Sequence, residues 1–288
     1  MILVIGGRSK IGAALVDRLV EAGERVRVLE RGGEASERSG RPGVETVRGD
    51  LADQDSLASA MAGVEKVFLL SSPHADAVAW HRNAVDAARR SDVSLLVRSS
   101  ILGADRATPA EFIAAHTASD RYLENSGLDY TIVRPNLFLQ NIPESTIPSI
   151  DPTGTFYMNA GPARLSMVDT RDVAAVAAVA LTEPGHAGAH YDVTGPQALS
   201  YGDVADRLGK SMGRPVTYVD APDDAVRGAL VGAGLNAWFA DALVGLYQDY
   251  RRSGVDGYAS EVTDTVERLT GRPPRSLDGL LGQGGADG

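Results

Sequence analysis

The first 22 residues carry the pattern that most constrains the fold: an apolar strand, a glycine-rich turn and an amphipathic helix follow one another directly. Ile2–Ile5 is a short, mostly β-branched run of the kind found in strands that are buried on both faces. Gly6 and Gly7 end this run, and apolar residues then recur at helical spacing from residue 10 to the stop signal at Gly23. A strand joined to a helix in this way is typical of parallel α/β sheets.

The same alternation continues along the first half of the chain. It predicts strands at residues 25–29, 44–47, 66–70, 94–97 and 130–133, and helices at residues 56–62, 75–90 and 109–125. Such alternation, with right-handed crossovers, predicts a Rossmann-type, doubly wound parallel sheet. Ligands bind these sheets beyond the carboxyl ends of the strands. We therefore expect a common rim formed by residues 6–12, Arg31, Asp50, residues 71–74 and residues 99–102.

The pattern changes after Pro135, where prolines and glycines interrupt any long element. We expect a loop that covers the site at about residues 136–165, then a helix at 170–182 and a strand at 191–193. The remainder predicts a helix at 201–212, a strand at 216–219 and helices between 222 and 252. The sequence therefore predicts a dinucleotide-binding domain at 1–194 and a smaller, mainly helical substrate lobe at 195–288, with a disordered tail at 282–288 by composition.

Composition argues against several classes of function. The formal net charge of -10 disfavours a nucleic-acid partner, since such binding depends on clustered Lys and Arg. The chain has no cysteine for disulfides or thiolate chemistry, and its five histidines show no paired ligand spacing, so no metal site is expected. No signal peptide or membrane-spanning stretch is predicted, and a soluble cytoplasmic protein without a membrane partner is expected.

The first turn offers backbone N–H groups to a pyrophosphate, because free donors at a helix N-terminus attract anions. Its candidate cofactor-binding residues are Gly6, Arg8, Ser9, Lys10, Ile11 and Gly12. The turn departs from the G-x-G-x-x-G pattern, and a purely architectural role is the alternative.

Arg31 follows the second predicted strand, where a cation can bind the ribose 2′-phosphate of NADP(H), with assistance from Arg8 and Lys10. This arrangement favours NADP(H) as the cofactor. The preceding Glu30 can instead accept a hydrogen bond from a 2′-hydroxyl, so NAD(H) remains possible. The other alternative is a solvated run of charges.

Further candidates follow the third and fourth strands. Asp50 can accept a hydrogen bond from an adenine amino group while Leu51 packs on the ring, or Asp50 can cap the next helix. Ser71, Ser72 and His74 stand where a ribose or nicotinamide would lie, although His74 can equally be an ordinary residue at a helix start.

His116 and Asp120 are candidate catalytic residues. They lie four positions apart in the predicted helix at 109–125, so their side chains share one helical face. In the functional interpretation Asp120 orients the imidazole, and His116 moves a proton or contacts the nicotinamide ribose. The alternative is a half-buried hydrogen-bonded pair without chemistry.

Nearly the whole chain resembles the NmrA-like branch of the atypical short-chain dehydrogenases/reductases. The landmarks are the opening turn, Arg31, and the segments at 47–51 (VRGDL), 126–135 (SGLDYTIVRP) and 168–174 (VDTRDVA). The resemblance implies that the first lobe binds NAD(P)H, that the turn Pro135-Asn136-Leu137 lies near the nicotinamide, and that the C-terminal lobe forms a substrate pocket.

Two departures from that family concern the turn and catalysis. The family has a glycine where Ser9 stands, and an alternative register would place one at Lys10. The Tyr-x-x-x-Lys dyad of classical members is absent, and His116–Asp120 occupies the corresponding helix. Similar NmrA-like reductases deliver hydride to quinones and dyes, whereas other members are redox sensors without turnover.

The resulting hypothesis is an NAD(P)H-dependent reductase that transfers hydride to a quinone, a conjugated aromatic or a related small molecule. The alternative is a non-catalytic NADP(H)-binding redox sensor or regulatory protein, so the chain is not assigned as an enzyme from sequence alone. Six aromatic residues are candidates for the substrate pocket, with packing in the core as the alternative: Phe138, Phe156, Tyr157, Trp238, Phe239 and Tyr258.

Overall fold

The structure, a computed structural model, describes residues 1–32 and 41–283. The strands are Ile2–Ile5 (β1), Val26–Glu30 (β2), Val44–Arg48 (β3), Lys66–Leu69 (β4), Leu95–Ser99 (β5), Asp129–Pro135 (β6), Thr155–Met158 (β7), Ala189–Val193 (β8) and Thr217–Asp220 (β9). The α-helices are Lys10–Glu21 (α1), Gln54–Met61 (α2), Ala77–Arg89 (α3), Glu111–Glu124 (α4), Thr170–Thr182 (α5), Tyr201–Met212 (α6), Asp223–Gly232 (α7), Ala237–Ser253 (α8), Thr265–Thr270 (α9) and Leu277–Gln283 (α10).

The predicted parallel sheet is confirmed. Seven strands pair in the order β3-β2-β1-β4-β5-β6-β8, and each neighbouring pair is parallel. The chain runs outward from β1 to β3 and then crosses back to β4 on the other side of β1. This reversal leaves a crevice beyond the carboxyl ends of β1 and β4, the usual ligand position in such sheets.

Helices cover both faces of the sheet. On one face, α1 and α5 pack together, and small and branched side chains of both helices, such as Leu15, Val16, Val173 and Ala177, belong to one buried cluster. On the other face, α2, α3 and α4 bury side chains such as Met61, Val85 and Leu123. Because both faces are covered, the central strands are almost continuously apolar, as the N-terminal pattern indicated.

A second core lies beside the sheet, where the segment after β6 meets the C-terminal helices. Phe156 of β7 and Tyr201 of α6 belong to it, and β7 pairs in parallel with β9. The segment 136–165, expected to be a loop, thus contains β7, a π-helical turn at Ile142–Thr146 and a short 3₁₀-helix at Ile147–Ser149. Pro152 and Gly154 border β7 closely, which hid this short strand in the sequence.

The C-terminal segment divides between the two cores, because Leu277 of α10 belongs to the second core whereas α9 does not. Val266 of α9 packs in the same cluster as Val173 of α5, which covers the main sheet. The predicted division of the chain at residue 194 stays a prediction. Of the predicted tail at 282–288, residues 282 and 283 are the last residues of α10, which corrects that boundary, and residues 284–288 lie outside the described residues. None of the helices in the described ranges combines the length and the hydropathy needed to cross a bilayer.

Candidate functional site

A cleft of about 700 Å³ opens at the carboxyl ends of β1, β2 and β4. The structure brings to it most of the predicted turn and strand-end residues, together with several side chains from the segment after β6. Gly12 is not part of this lining, and His74 and residues 99–101 of the predicted rim line a second cleft instead. Among its lining residues are Gly6, Arg8, Ser9, Lys10, Ile11, Glu30, Arg31, Asp50, Leu51, Ser71, Ser72, Phe138, Gln140, Asn141 and Thr170.

The first turn needs glycine at positions 6 and 12, because backbone atoms lie too close there to admit a side chain. Gly6 has φ +87°, and a Cβ there would stand 2.5 Å from the carbonyl oxygen of Leu70. A Cβ on Gly12 would stand 2.2 Å from the carbonyl oxygen of Gly6. These two positions let α1 begin directly against the end of β1, so that its first turn faces the cleft.

Ser9, which replaces the family's glycine, fits this turn without strain. Its φ of -72° is ordinary, and its Oγ accepts a hydrogen bond of 3.0 Å from the backbone N–H of Gly12, so Ser9 caps α1. The N–H groups of Lys10 and Ile11 have no acceptor among residues 1–32 and 41–283. A turn with an added side chain therefore still presents free donors to an anion.

The end of β2 carries opposite charges into the cleft. Arg31 is exposed and lines the cleft beside Glu30. One carboxylate oxygen of Glu30, Oε1, is buried and has no hydrogen-bond partner within the described part of the chain. A buried acceptor without a donor is costly, and a ribose hydroxyl is a group that would satisfy it.

Asp50 does not cap the following helix, which corrects that alternative. Its Oδ1 accepts a hydrogen bond of 2.8 Å from the N–H of Ala52, whereas Asp53 caps α2 through the N–H groups of Asp55 and Ser56. Asp50 and the buried Leu51 both line the larger cleft. Their position agrees with a role beside an adenine, which stays a prediction.

A second, smaller cleft of about 280 Å³ adjoins the first one. Its wall is mostly apolar, with Trp238, Phe239 and Leu243 from α8 opposite the end of β6. Six residues line both clefts and form their common border: Leu70, Ser71, Ser72, Pro73, Phe138 and Asn141. A ligand that fills the larger cleft can therefore reach the smaller one.

The end of β4 lies at this border. Ser71 Oγ lies 2.9 Å from Nε2 of the buried His81, while Ser72 is exposed. The exposed His74 stacks on Trp80 with ring centroids 4.2 Å apart, and its Nδ1 accepts from the N–H of Asp76 at 3.0 Å. His74 also lines the smaller cleft, and it precedes α3, which begins at Ala77.

A buried polar network forms the floor of the smaller cleft. Arg98 of β5 is fully buried and forms an ion pair with Asp120 of α4, which also accepts a hydrogen bond of 2.7 Å from Ser100 Oγ. Another nitrogen of the same guanidinium, Nη2, lies 3.1 Å from Nδ1 of His116 and 3.3 Å from Nδ1 of His81. Arg98 therefore links two histidines to one carboxylate.

This arrangement corrects the predicted His116–Asp120 pair. No hydrogen bond joins these two side chains in the described ranges, because Arg98 stands between them. Burial, and then the adjacent positive charge of Arg98, lower the pKa values of His116 and His81 well below their ordinary value. Burial raises the pKa of Asp120, and the neighbouring Arg98 opposes this shift. Both imidazoles are therefore neutral near pH 7.

The turn after β6 lines the smaller cleft, but the Asn136 amide is committed to the fold. Asn136 Nδ2 donates to Ser166 Oγ at 2.9 Å and to the Ala259 carbonyl at 2.8 Å, and its Oδ1 accepts from the N–H of Leu137 at 2.8 Å. Pro135 and Asn136 are buried, and Leu137 is partly exposed. The three residues shape the wall through backbone and apolar atoms.

Three of the six predicted pocket aromatics line the clefts: Phe138, Trp238 and Phe239. The other three lie outside both linings, which corrects their assignment. Phe156 is buried in the second core between Tyr201 and Tyr218, and Tyr157 projects outward with 51% of its surface exposed. Tyr258 is buried, with its hydroxyl donating to Asp249 at 2.8 Å.

Sequence reasoning missed His81, Arg98 and Phe112, all of which line the smaller cleft. Arg98 did leave a signal, because a charged residue inside an otherwise apolar buried strand needs a partner. His81 and Phe112 have no comparable signal, since each occupies an ordinary helical position. The described residues contain no group of three or more His, Asp or Glu side chains arranged to hold a metal ion.

A Rossmann-type sheet with a glycine turn and a cleft at its switch point defines a dinucleotide-binding class of protein. Residues 6–184 match the family model described as NAD(P)H-binding. The chain is 37% identical to the NAD(P)H azoreductase of Xenophilus azovorans over 277 residues, which cover 96% of this chain and 95% of that protein. The chain therefore belongs to the NAD(P)H-binding family.

Solved structures show the same architecture over almost the full length. The NADPH complex of the quinone oxidoreductase QOR2 from Escherichia coli has a TM-score of 0.89 and 26% identity, covering 98% of this chain and 99% of that one. The Citrobacter sp. triphenylmethane reductase with NADP(H) has a TM-score of 0.87 and 25% identity, with the same coverage. The resemblance to NmrA-like reductases drawn from the sequence is confirmed.

Proposed function

We propose that this protein is an NAD(P)H-dependent reductase that transfers hydride to quinones, azo compounds or related conjugated aromatic molecules. The observation that carries the proposal is the border between the two clefts. A cofactor-sized cleft with free helix N–H groups meets a smaller apolar cleft lined by Trp238 and Phe239. The azoreductase and quinone oxidoreductase relatives support this choice of acceptor.

The larger cleft fits a dinucleotide at both ends. The free N–H groups of Lys10 and Ile11 would hold the pyrophosphate, and Asp50 and Leu51 would border the adenine. Arg31 would bind a 2′-phosphate, while the unpartnered oxygen of Glu30 suits a 2′-hydroxyl. NADP(H) is thus the preferred cofactor, and NAD(H) remains usable.

When bound, the cofactor supplies a hydride at its nicotinamide ring. Ser71, Ser72 and Phe138 at the border would orient that ring toward the smaller cleft. Trp238, Phe239 and Leu243 would hold a flat acceptor against it and exclude water. His116 lies beside this space as a neutral polar group.

Steady-state NADPH oxidation with a panel of quinones, azo dyes and conjugated carbonyls tests this proposal. We expect turnover with at least one flat aromatic acceptor. Tight NADPH binding without turnover across the whole panel would contradict it and would favour the sensor alternative.

A matched pair of variants tests the acceptor position. Ala115 lines the smaller cleft, and the preceding Ala114 is exposed on the same helix. Ala115→Phe should raise the KM for the acceptor without changing the Kd of NADPH, because it fills the smaller cleft only. Ala114→Phe should leave both constants unchanged.

A further inference from the structure

The neighbours of His116 decide which of its nitrogens carries the proton. Its Nδ1 lies 3.1 Å from Nη2 of Arg98, and this is the hydrogen bond that the described residues make with the ring. A guanidinium donates hydrogen bonds and cannot accept them. Nδ1 must therefore be unprotonated, and a neutral imidazole then carries its proton on Nε2.

Arg98 is held firmly enough to impose this choice. Its side chain is fully buried in β5, and its Nη1 forms an ion pair with Asp120. Asp120 is in turn fixed by Ser100 Oγ, and Arg134 Nε of β6 lies 3.7 Å from the same carboxylate. The guanidinium therefore cannot turn away from His116 without breaking a buried ion pair, which is costly.

The two histidines that contact Arg98 differ in what they offer to the cleft. His81 has both nitrogens engaged, with Nε2 at 2.9 Å from Ser71 Oγ and Nδ1 at 3.0 Å from Ser119 Oγ. His116 is only partly buried, lines the smaller cleft and keeps Nε2 without a partner in the described part of the chain. His116 alone of these two has an N–H available for a ligand.

We propose that Arg98 is a positioning residue that holds His116 in the tautomer protonated at Nε2, and that this N–H binds the acceptor atom on which negative charge develops. This inference rests on the proposed reductase function. It predicts that acceptors with a carbonyl oxygen or an azo nitrogen depend on this donor, and it assigns His116 as a hydrogen-bond donor that stays neutral throughout.

Charge balance separates two classes of acceptor. Hydride addition to a quinone leaves a hydroquinone anion, and addition to an azo bond leaves an anion on nitrogen, while NADPH becomes NADP⁺. The N–H of His116 stabilises that anion, and water supplies the proton that completes the product. Hydride addition to a triarylmethane cation gives the neutral leuco compound directly, so no anion forms and no donor is needed.

This difference gives a test within one enzyme preparation. His116→Phe removes the donor and retains a ring, so kcat/KM with a quinone should fall about 100-fold, as for loss of one donor to a developing oxyanion. Reduction of a cationic triarylmethane dye should change by less than about threefold, or ~0.7 kcal/mol, because no anion forms that the donor would stabilise. His116→Gln, which restores an amide N–H, should recover part of the quinone activity. An equal loss with both acceptors would overturn the proposed donor role.

The tautomer itself can be measured without turnover. Imidazole ¹⁵N NMR of the intact protein, with the His116 resonances assigned through His116→Gln, should show Nδ1 unprotonated and Nε2 protonated at pH 7, and the ring should take up a second proton only well below its ordinary pKa. The charged groups around the ring are Arg98 from β5, Arg134 from β6 and Asp120 from its own α4, with His81 facing it from α3. Arg98→Lys keeps a charge but loses the fork that reaches both Asp120 and His116, so it should mix the two tautomers and lower quinone kcat more than it changes the Kd of NADPH.

The two measurements separate the failure of this inference from that of the proposed function. If no acceptor is reduced, the reductase proposal fails, while the NMR result still decides the tautomer. A wild-type His116 that carries its proton on Nδ1, or that titrates near its ordinary pKa, would overturn the role assigned to Arg98.

Discussion

Lys10, in the first turn of α1, forms an ion pair with Glu144, in the π-helical turn at Ile142–Thr146. Both side chains are about half exposed. The pair connects the candidate phosphate-binding turn with the segment that follows β6. Lys10 is therefore already neutralised before any phosphate arrives, and Glu144 competes with an anionic ligand for it.

Removal of that competition should strengthen cofactor binding. An exposed ion pair contributes about 0.2–1 kcal/mol, so Glu144→Gln should lower the Kd of NADPH about 1.5- to 5-fold. Glu21→Gln, at the exposed far end of α1, is the matched control. Titration calorimetry at low salt would measure both, and an unchanged or weaker affinity in Glu144→Gln would show that the pair does not oppose binding.

Cofactor preference should depend on Glu30 and Arg31 in opposite ways. Arg31→Ala should weaken NADPH about tenfold and NADH little, because a charge-assisted bond to the 2′-phosphate is worth roughly 1.4 kcal/mol. Glu30→Gln should instead weaken NADH more than NADPH. Arg25→Ala, exposed at the opposite end of β2, is the control. Equal effects of Arg31→Ala on both cofactors would remove its proposed role.

Asn136 should prove structural rather than cofactor-binding. Its buried amide bonds Ser166, the Ala259 carbonyl and the N–H of Leu137, so Asn136→Ala should lower the free energy of unfolding by about 1–3 kcal/mol. Urea unfolding followed by circular dichroism would measure the change. Asn141→Ala, at an exposed position, should leave stability nearly unchanged. A stability equal to that of wild type in Asn136→Ala would refute this assignment.

The buried histidines should make the fold sensitive to mild acid. Because the folded pKa of His81 is lowered, the unfolded chain binds the proton more readily once the pH falls below about 6.5. The stability that comes from keeping these histidines neutral is therefore fully present above about pH 6.5. It is lost as the pH decreases, by up to about 1.4 kcal/mol per pH unit for each such histidine.

His81→Gln tests this expectation directly. The variant should show a shallower decrease of unfolding free energy between about pH 5.5 and 7 than the wild type, since one contributing histidine is gone. His74→Gln removes an exposed histidine outside the network and serves as the control. The raised pKa of Asp120 has the opposite effect, because it makes the folded chain bind a proton more readily than the unfolded chain at lower pH. This contribution is present in wild type and variants alike, so it cancels when their slopes are compared. Identical slopes in His81→Gln and wild type would contradict the prediction.

Local patterns explain why the first lobe was predictable. Ile2–Ile5, the glycine turn and α1 each carry a periodic or turn-specific pattern in adjacent residues. The parallel order of the sheet then placed Arg31, Asp50 and Ser71 at the same edge. The fit of Ser9 in the turn was harder to predict, because it depends on the hydrogen bond that Ser9 accepts from the N–H of Gly12, and composition does not reveal that bond.

The smaller cleft could not be assembled in the same way. Its polar floor joins His81 of α3, Arg98 of β5 and His116 of α4, which are brought together only by tertiary packing. Helical spacing therefore favoured a direct His116–Asp120 pair and hid the arginine between them. Aromatic residues gave a similar difficulty, since Phe156 in the core and Phe239 at the cleft have no local pattern that distinguishes them.

Direct hydride transfer between the two clefts is the central claim, and a single-turnover experiment with NADPH deuterated at the transferable position of the nicotinamide tests it. The protein is loaded with the labelled cofactor and mixed with a triarylmethane dye cation, whose accepting carbon retains the label. The account predicts a leuco product that contains the deuterium, together with a slower transfer than with unlabelled NADPH. Unoxidised cofactor after mixing with acceptors of every class, or a product without deuterium, would contradict it.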